Sequence, residues 1–255
     1  MGLWTSLHAV TFLPSLAVMI AAALILRKLL IDKSFEKRML PIKIIAVILV
    51  VLEIIKQITS LRAGYDLYHL PFHFCSIFIY ALPFFAFYRG KYAQSVRSVA
   101  CATMTGLFLG MLVMPAIIYS DVAISEFFVS YISFHRVFFH NLVVFATLII
   151  FFLDLHKPSG KGGEAVFVTL FAVIFVIIAA SASHLLDTNY SNFLSSTVDF
   201  VEALAENLAL KVGEGAFTAI YTACAAVLHI GFILGMNYLY LALCLLKERL
   251  SKKRI

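Results

Sequence analysis

Apolar residues fill seven stretches of the chain, near 7–29, 40–61, 70–88, 98–118, 131–153, 164–185 and 218–246. Each approaches the roughly 20 residues that a helix needs to cross the hydrocarbon core of a bilayer. The polar positions between them are unevenly shared. Basic residues gather after the first stretch (Arg27, Lys28, Lys33, Lys37 and Arg38, with Lys43 just beyond), after the third (Arg89, Lys91, Arg97), after the fifth (Lys157, Lys161) and at the C-terminal end (Lys247, Arg249, Lys252, Lys253, Arg254). These are sixteen of the twenty lysines and arginines, all on alternate sides of the seven stretches. Only Arg62 and Lys211 lie in the opposite loops, and Lys56 and Arg136 lie within stretches. Cytoplasmic loops carry the excess of Lys and Arg, so the pattern predicts an N-terminus outside and a C-terminus in the cytoplasm, as an odd number of crossings requires.

The other set of loops is acidic, with Asp66, Asp121, Glu126, Asp187, Asp199, Glu202, Glu206 and Glu214. The longest runs from about 186 to 217. Within it Val198, Val201, Leu204, Ala205 and Leu208 recur at helical spacing, with Gly213 as a stop, so an outer amphipathic segment is expected at about 195–212. Its acidic polar face argues against attraction to anionic lipid, leaving a connector or a lid over the outer mouth. No repeat or linker divides residues 1–255, and the expectation is one all-α, polytopic membrane domain of seven transmembrane helices.

Composition agrees. The 255 residues are 62% hydrophobic and 13% charged, with a mean hydropathy of +0.98, far from a soluble domain of ordinary make-up. The net charge of +6 lies in short loops where it sets topology, so no nucleic-acid partner is implied. The four cysteines (75, 101, 224, 244) all fall in apolar runs, so no structural disulfide is expected. With no basic region before the first stretch, no cleaved signal peptide is expected.

Polar residues inside a membrane are costly and usually face a protein interior or a wet cavity. Glu53, Lys56 and Gln57 share one face of the second stretch at i, i+3 and i+4. The third stretch carries His69, His73 and Cys75, the fifth His135, Arg136, His140 and Asn141, and the sixth ends at His184, followed by Asp187, Asn189 and Tyr190. The seventh adds His229 and Asn237 deeper down. A structural ion pair accounts for Glu53 and Lys56 taken alone. Five stretches offering polar groups at matched depth instead describe a cavity open to the outer leaflet.

Pro71 suits the first turn of a helix, where its missing N–H costs nothing, so a helix is expected to begin at about residue 71. Cys75 then sits about one turn inside, where the helix dipole, aided by Arg136 or a protonated histidine, favours the thiolate of an acyl-accepting nucleophile. His73 and Cys75 are about 200° apart on a regular helix, so the base must come from another span, and His140 is the best placed. A zinc site from His69, His73, His140 and Glu53 is the alternative, but with no HExxH-type signature neither metal nor cofactor is expected.

Leu70-Pro-Phe-His-Phe-Cys75, Phe134-His-Arg-Val-Phe-Phe-His-Asn141 and Asp187-Thr-Asn-Tyr190 with Phe193-Leu194 together resemble the YwaF family of bacterial integral membrane proteins, whose eukaryotic relatives are the transmembrane protein 164 acyltransferases. The resemblance implies a multi-pass protein of a bacterial plasma membrane that moves a fatty acyl chain onto a lysophospholipid. It implies a cysteine nucleophile matching Cys75 and a histidine matching His140, with His135 as the competing match.

The leading expectation is therefore a lipid acyltransferase or transacylase. Cys75 would attack an acyl ester, His140 or His135 would shuttle protons, and Arg136 with Lys56 would hold the headgroup phosphate. His73, Glu53, Asn141, His184, Asn189, Tyr190 and His229 would line the substrate site. The rival is a transporter or binding protein using the same cavity without covalent chemistry, with Glu53 and Lys56 as a relay, although no broken-helix pair or inverted repeat supports it. A retinal protein ranks below both, because no lysine lies between Phe217 and Leu246 to form a Schiff base.

Overall fold

The structure, a computed structural model, describes residues 4–115, 119, 121–196 and 198–252. Among these residues the chain is helical, without strands. The helices are α1 (Ser6–Leu30), α2 (Phe35–Arg62), α3 (Phe78–Phe87), α4 (Ala93–Val113), α5 (Asp121–Ser125), α6 (Tyr131–Phe152), α7 (Gly162–Leu186), α8 (Asp199–Val212) and α9 (Glu214–Lys252), with single 3-10 turns at Leu67–His69, Phe74–Ile77 and Tyr190–Asn192. Among the described residues five helices, α1, α4, α6, α7 and α9, are long and apolar enough to cross a membrane. The chain is a multi-pass membrane protein. α2 is longer than most of them, at 28 residues, but its apolar stretch carries Lys43, Glu53 and Lys56.

The third predicted span departs from a continuous helix over 70–88. Pro71 does not open it; residues 70–73 are non-helical, with Phe72 N–H turned back onto the Leu70 carbonyl at 2.9 Å. Helix begins at Phe74 and runs to Phe87 as a 14-residue apolar segment, about 21 Å at 1.5 Å per residue and so shorter than the hydrocarbon core. Irregular backbone at that depth is tolerated where it is covered by protein or lines a polar cavity. Both conditions hold here, since Tyr190 and Ser191 close over it. The fourth predicted span appears as α4, ending at Val113; its expected last residues, 116–118, lie outside the described residues.

Of these five helices α4 and α6 are the most enveloped, α1 and α9 the least. α4 packs on α9, α3 and α7, and α6 packs on α2 and α1. Gly106 makes the α4–α9 approach possible, because a Cβ there would stand 2.7 Å from Phe232 Cε1. Phe12, Phe78, Phe85, Phe139 and Met104 are fully buried between these layers; each stabilises the packed state by about 1.5–3 kcal/mol in an aqueous accounting, less in lipid. α8 is amphipathic by position and ends where Gly213 takes φ 81°.

α2 and α6 run antiparallel, which separates two ends of the bundle. At one end Arg38 donates to the Leu153 carbonyl at 2.8 Å, and the basic residues form surface pairs: Lys43 and Arg89 with Glu36 (2.7 and 3.0 Å), Lys247 with Asp154 (2.6 Å), Lys157 with Glu248 (2.7 Å). Each contributes ~1 kcal/mol or less. At the other end Glu53 of α2 meets His135 of α6.

Candidate functional site

That second end holds a cavity of about 390 Å³, lined by α2, the 67–77 segment, α6 and the loop after α7. Its base is built on Glu53, which is 6% exposed. Glu53 Oε1 accepts from Lys56 Nζ and from Gln57 Nε2, both at 2.7 Å, because i+3 and i+4 bring those side chains over the same helical face. His135 Nε2 lies 3.3 Å from Oε2, close enough for an ion pair but angled away from a hydrogen bond. Gln57 also donates to the His69 carbonyl at 2.9 Å and accepts from Tyr65. The carboxylate thus ties α2 to α6 and, through Gln57, to the non-helical segment before Phe74.

His140 follows Arg136 by four residues, so its Nδ1 meets the Arg136 carbonyl within one turn of α6. A carbonyl only accepts, so Nδ1 carries the proton and Nε2 presents its lone pair. That Nε2 is buried and has no hydrogen-bond partner among the described residues. Arg136 lines the same cavity, and among the described residues no carboxylate stands within ion-pair distance of its guanidinium.

Cys75 lies half-buried in the Phe74–Ile77 turn on the cavity wall. His73, one residue outside that turn, donates from Nε2 to the Tyr68 carbonyl at 3.0 Å and packs between Tyr68, which is tilted against it, and Tyr190, which meets it edge-on, with ring centroids 4.3 and 5.1 Å away. Tyr190 is fully buried and donates its hydroxyl to the Leu67 carbonyl; Ser191 Oγ donates to the Phe72 carbonyl at 3.3 Å. The loop that delivers them is shaped by Asn189, whose Nδ2 donates to the Ser195 carbonyl and Oγ (3.0 and 2.9 Å) and whose Oδ1 accepts from Leu194 N–H at 3.0 Å. The Asp187-to-Tyr190 motif therefore buttresses the segment bearing His73 and Cys75, with Asp187 itself in the left-handed region (φ 47°) that turns the chain out of α7.

Of the residues singled out in the sequence, Cys75, His140, His135, His73, Arg136, Lys56, Glu53 and Asn189 line this one cavity, and Tyr190 backs it. Three of the candidate substrate-site residues, Asn141, His184 and His229, do not line it. Asn141 accepts from Tyr119 at 2.7 Å and donates to the Val137 carbonyl; His184 pairs with Thr222 at 2.8 Å in a separate depression between α7 and α9. His229 bonds the Ala225 carbonyl and stacks on Phe193. Their side chains are turned to other partners on α6, α7 and α9. Tyr68, Phe74, Ser76, Ser191 and Asn192 also line the cavity without a sequence signal of their own beyond proximity to the motifs. Among the described residues no group of three or more His, Cys, Asp or Glu side chains is arranged to hold a metal ion, so the four-residue zinc alternative does not assemble.

No curated protein matches the chain, and no solved structure does. The model of the TMEM164 family matches residues 3–210, which include every element of the cavity. The chain belongs to the TMEM164 family.

Proposed function

We propose that the protein is a membrane-embedded acyltransferase that moves a fatty acyl chain between phospholipids through Cys75. His140 Nε2 takes the proton of Cys75 Sγ, and the thiolate adds to the ester carbonyl of a donor phospholipid. The C–O bond breaks, the acyl carbon stays on sulfur as a thioester, and the departing glycerol oxygen takes the proton back from His140. In the second half a lysophospholipid hydroxyl gives its proton to Nε2 and attacks the thioester. The new ester forms, the C–S bond breaks, and the sulfur recovers its proton. Arg136 and Lys56 hold the headgroup phosphate, Arg136 by a planar two-pronged contact. Glu53 keeps Lys56 and His135 in place.

The observation that carries this reading is the buried Nε2 of His140, without a hydrogen-bond partner among the described residues, on a cavity that also offers a thiol and the Arg136 guanidinium. The same reading takes α1, α2, the Phe74–Phe87 segment, α4, α6, α7 and α9 as seven crossings. The basic end then faces the cytoplasm and the cavity opens toward the outer leaflet of the plasma membrane. Transfer of a labelled acyl chain between phospholipids in proteoliposomes tests it. The native protein transfers the label, Cys75→Ala does not while keeping its unfolding temperature, and Cys75→Ser is nearly inactive because a hydroxyl is a far weaker nucleophile at neutral pH. Full transfer by Cys75→Ala would overturn the covalent mechanism and favour binding or transport.

A further inference from the structure

Behind the wall that carries Cys75 lies a second space, an apolar groove of about 490 Å³ between α3, α4 and α7. The two spaces share one strand of chain. Pro71, Phe72 and Ile77 line the groove, whereas Phe74, Cys75 and Ser76 line the polar cavity. Phe74 is the partition: its ring packs edge-on against Phe78, Phe175 and Phe232 at 6.1–6.2 Å, and Phe175 is itself a groove residue. The lining is aliphatic and aromatic except for the Tyr80 hydroxyl. Along α7 it extends from Phe167 to Ala179, about 18 Å of helix at 1.5 Å per residue, close to the ~15 Å thickness of hydrocarbon in one leaflet. The groove is open sideways, with Tyr80, Phe84, Ile174 and Ile178 each about half exposed.

We infer that this groove seats the acyl chain of the phospholipid whose headgroup and ester occupy the polar cavity, with Phe74 as the gate the chain passes, an inference that rests on the acyl-transfer reading for the role of Cys75. The chemistry is matched at both ends. A phospholipid has a charged phosphate within a few bonds of its esters and a long apolar tail beyond them. Here the Arg136 guanidinium, with no carboxylate in ion-pair distance among the described residues, and a thiol lie on one face of residues 71–77, and a tail-length apolar channel lies on the other. Val96 near the start of α4, Phe84 near the end of α3 and Phe167 near the start of α7 line the groove at the helix ends remote in sequence from residues 71–77, so chain length is read there.

Two measurements test this separately from the enzymatic reading. First, Val96→Phe shortens the groove without entering the polar cavity. In a competition between donors bearing twelve- and eighteen-carbon chains it should shift the transfer ratio toward the shorter by about tenfold or more, since an added group in a hydrophobic pocket discriminates on that scale. Ile177→Trp, exposed on α7 outside the groove, should leave the ratio unchanged. Second, a phosphatidylcholine carrying a photoreactive diazirine near the end of its acyl chain is cross-linked to the Cys75→Ala protein in vesicles, which needs no turnover. Labels should concentrate at Phe167–Ile178 and around Val96, and should fall when Arg136 is also replaced by Ala. Labelling as strong around Ile177 as in the groove, indifferent to Arg136, would mean boundary lipid only and overturn the inference. Groove labelling that depends on Arg136, together with no transfer by the native protein, would remove the enzyme and keep the lipid seat. Transfer with an unshifted ratio and labels elsewhere would remove the groove and keep the enzyme.

Discussion

Replacing Glu53 by Leu removes the one carboxylate on which the cavity base is assembled. Lys56 Nζ and Gln57 Nε2 both lose an acceptor at 2.7 Å, and the Lys56 side chain, only 12% exposed, is left as an ammonium without a counter-ion. Breaking one side of a buried pair typically costs about 3–5 kcal/mol, and the Gln57 amide, which keeps its bond to the His69 carbonyl, adds little to that. For a chain of this size that corresponds to a fall in unfolding temperature on the order of 10 °C. Lys56→Leu leaves the carboxylate, but Gln57 still donates to it, so the loss is expected at the lower end of the range. The Glu53→Leu, Lys56→Leu double variant removes both charges together and should be milder than Glu53→Leu alone. Thermal unfolding of the four proteins in one detergent gives the coupling energy directly. Additive losses, with the double variant the least stable, would show that the two side chains do not hold each other and would refute the assignment of Glu53 as the organiser of the base.

Three further outcomes follow from the same structure. Single cysteines at Ser196 and Ser34, in a background without the native cysteines, should be labelled and unlabelled respectively by an impermeant thiol reagent on intact cells; labelling at 34 would reverse the proposed orientation. His140→Ala should slow acyl transfer by roughly 10²–10⁴-fold, as loss of a general base does, and His135→Ala by much less; the opposite order would assign the base to His135. In the loop after α6, His156 bonds Ser98 at 2.7 Å with Glu164 on the far side of that serine, and burial pushes its pKa down to about 4 despite the carboxylate. A depressed histidine pKa means that the unfolded chain binds the proton first, so stability should fall as pH drops from about 6.5 toward 4 and level off below. Melting curves across that range should show a smaller slope for His156→Gln, and an unchanged slope would refute the contribution.

The helical parts of the cavity were legible because their chemistry is periodic. Glu53, Lys56 and Gln57 on α2, and Arg136 and His140 on α6, meet at i+3 and i+4 whatever the rest of the chain does. The 70–73 segment was not legible. Pro71 obeys the rule for a helix start, yet the backbone is held open by Tyr190 and Ser191, which bond the carbonyls of Leu67 and Phe72 from about 120 residues away; no local pattern encodes such a contact. Hydropathy carries no information on rotation about a helix axis, which is why His184 and His229 were not separable from the cavity residues in the sequence and yet face Thr222 and Phe193. The apolar groove was invisible for a related reason: an all-apolar stretch does not distinguish Phe171, Phe175 and Ile178, which line it beside α3 and α4, from the rest of α7.

The central claim is that Cys75 carries the acyl chain between two lipids, and the most direct measurement is the mass of the peptide containing it after incubation with a donor phospholipid and no acceptor. The account predicts one acyl group on Cys75, removed by neutral hydroxylamine as a thioester is, discharged on adding lysophospholipid, and absent from Cys101, Cys224 and Cys244. Steady transfer with Cys75 unmodified throughout would contradict it.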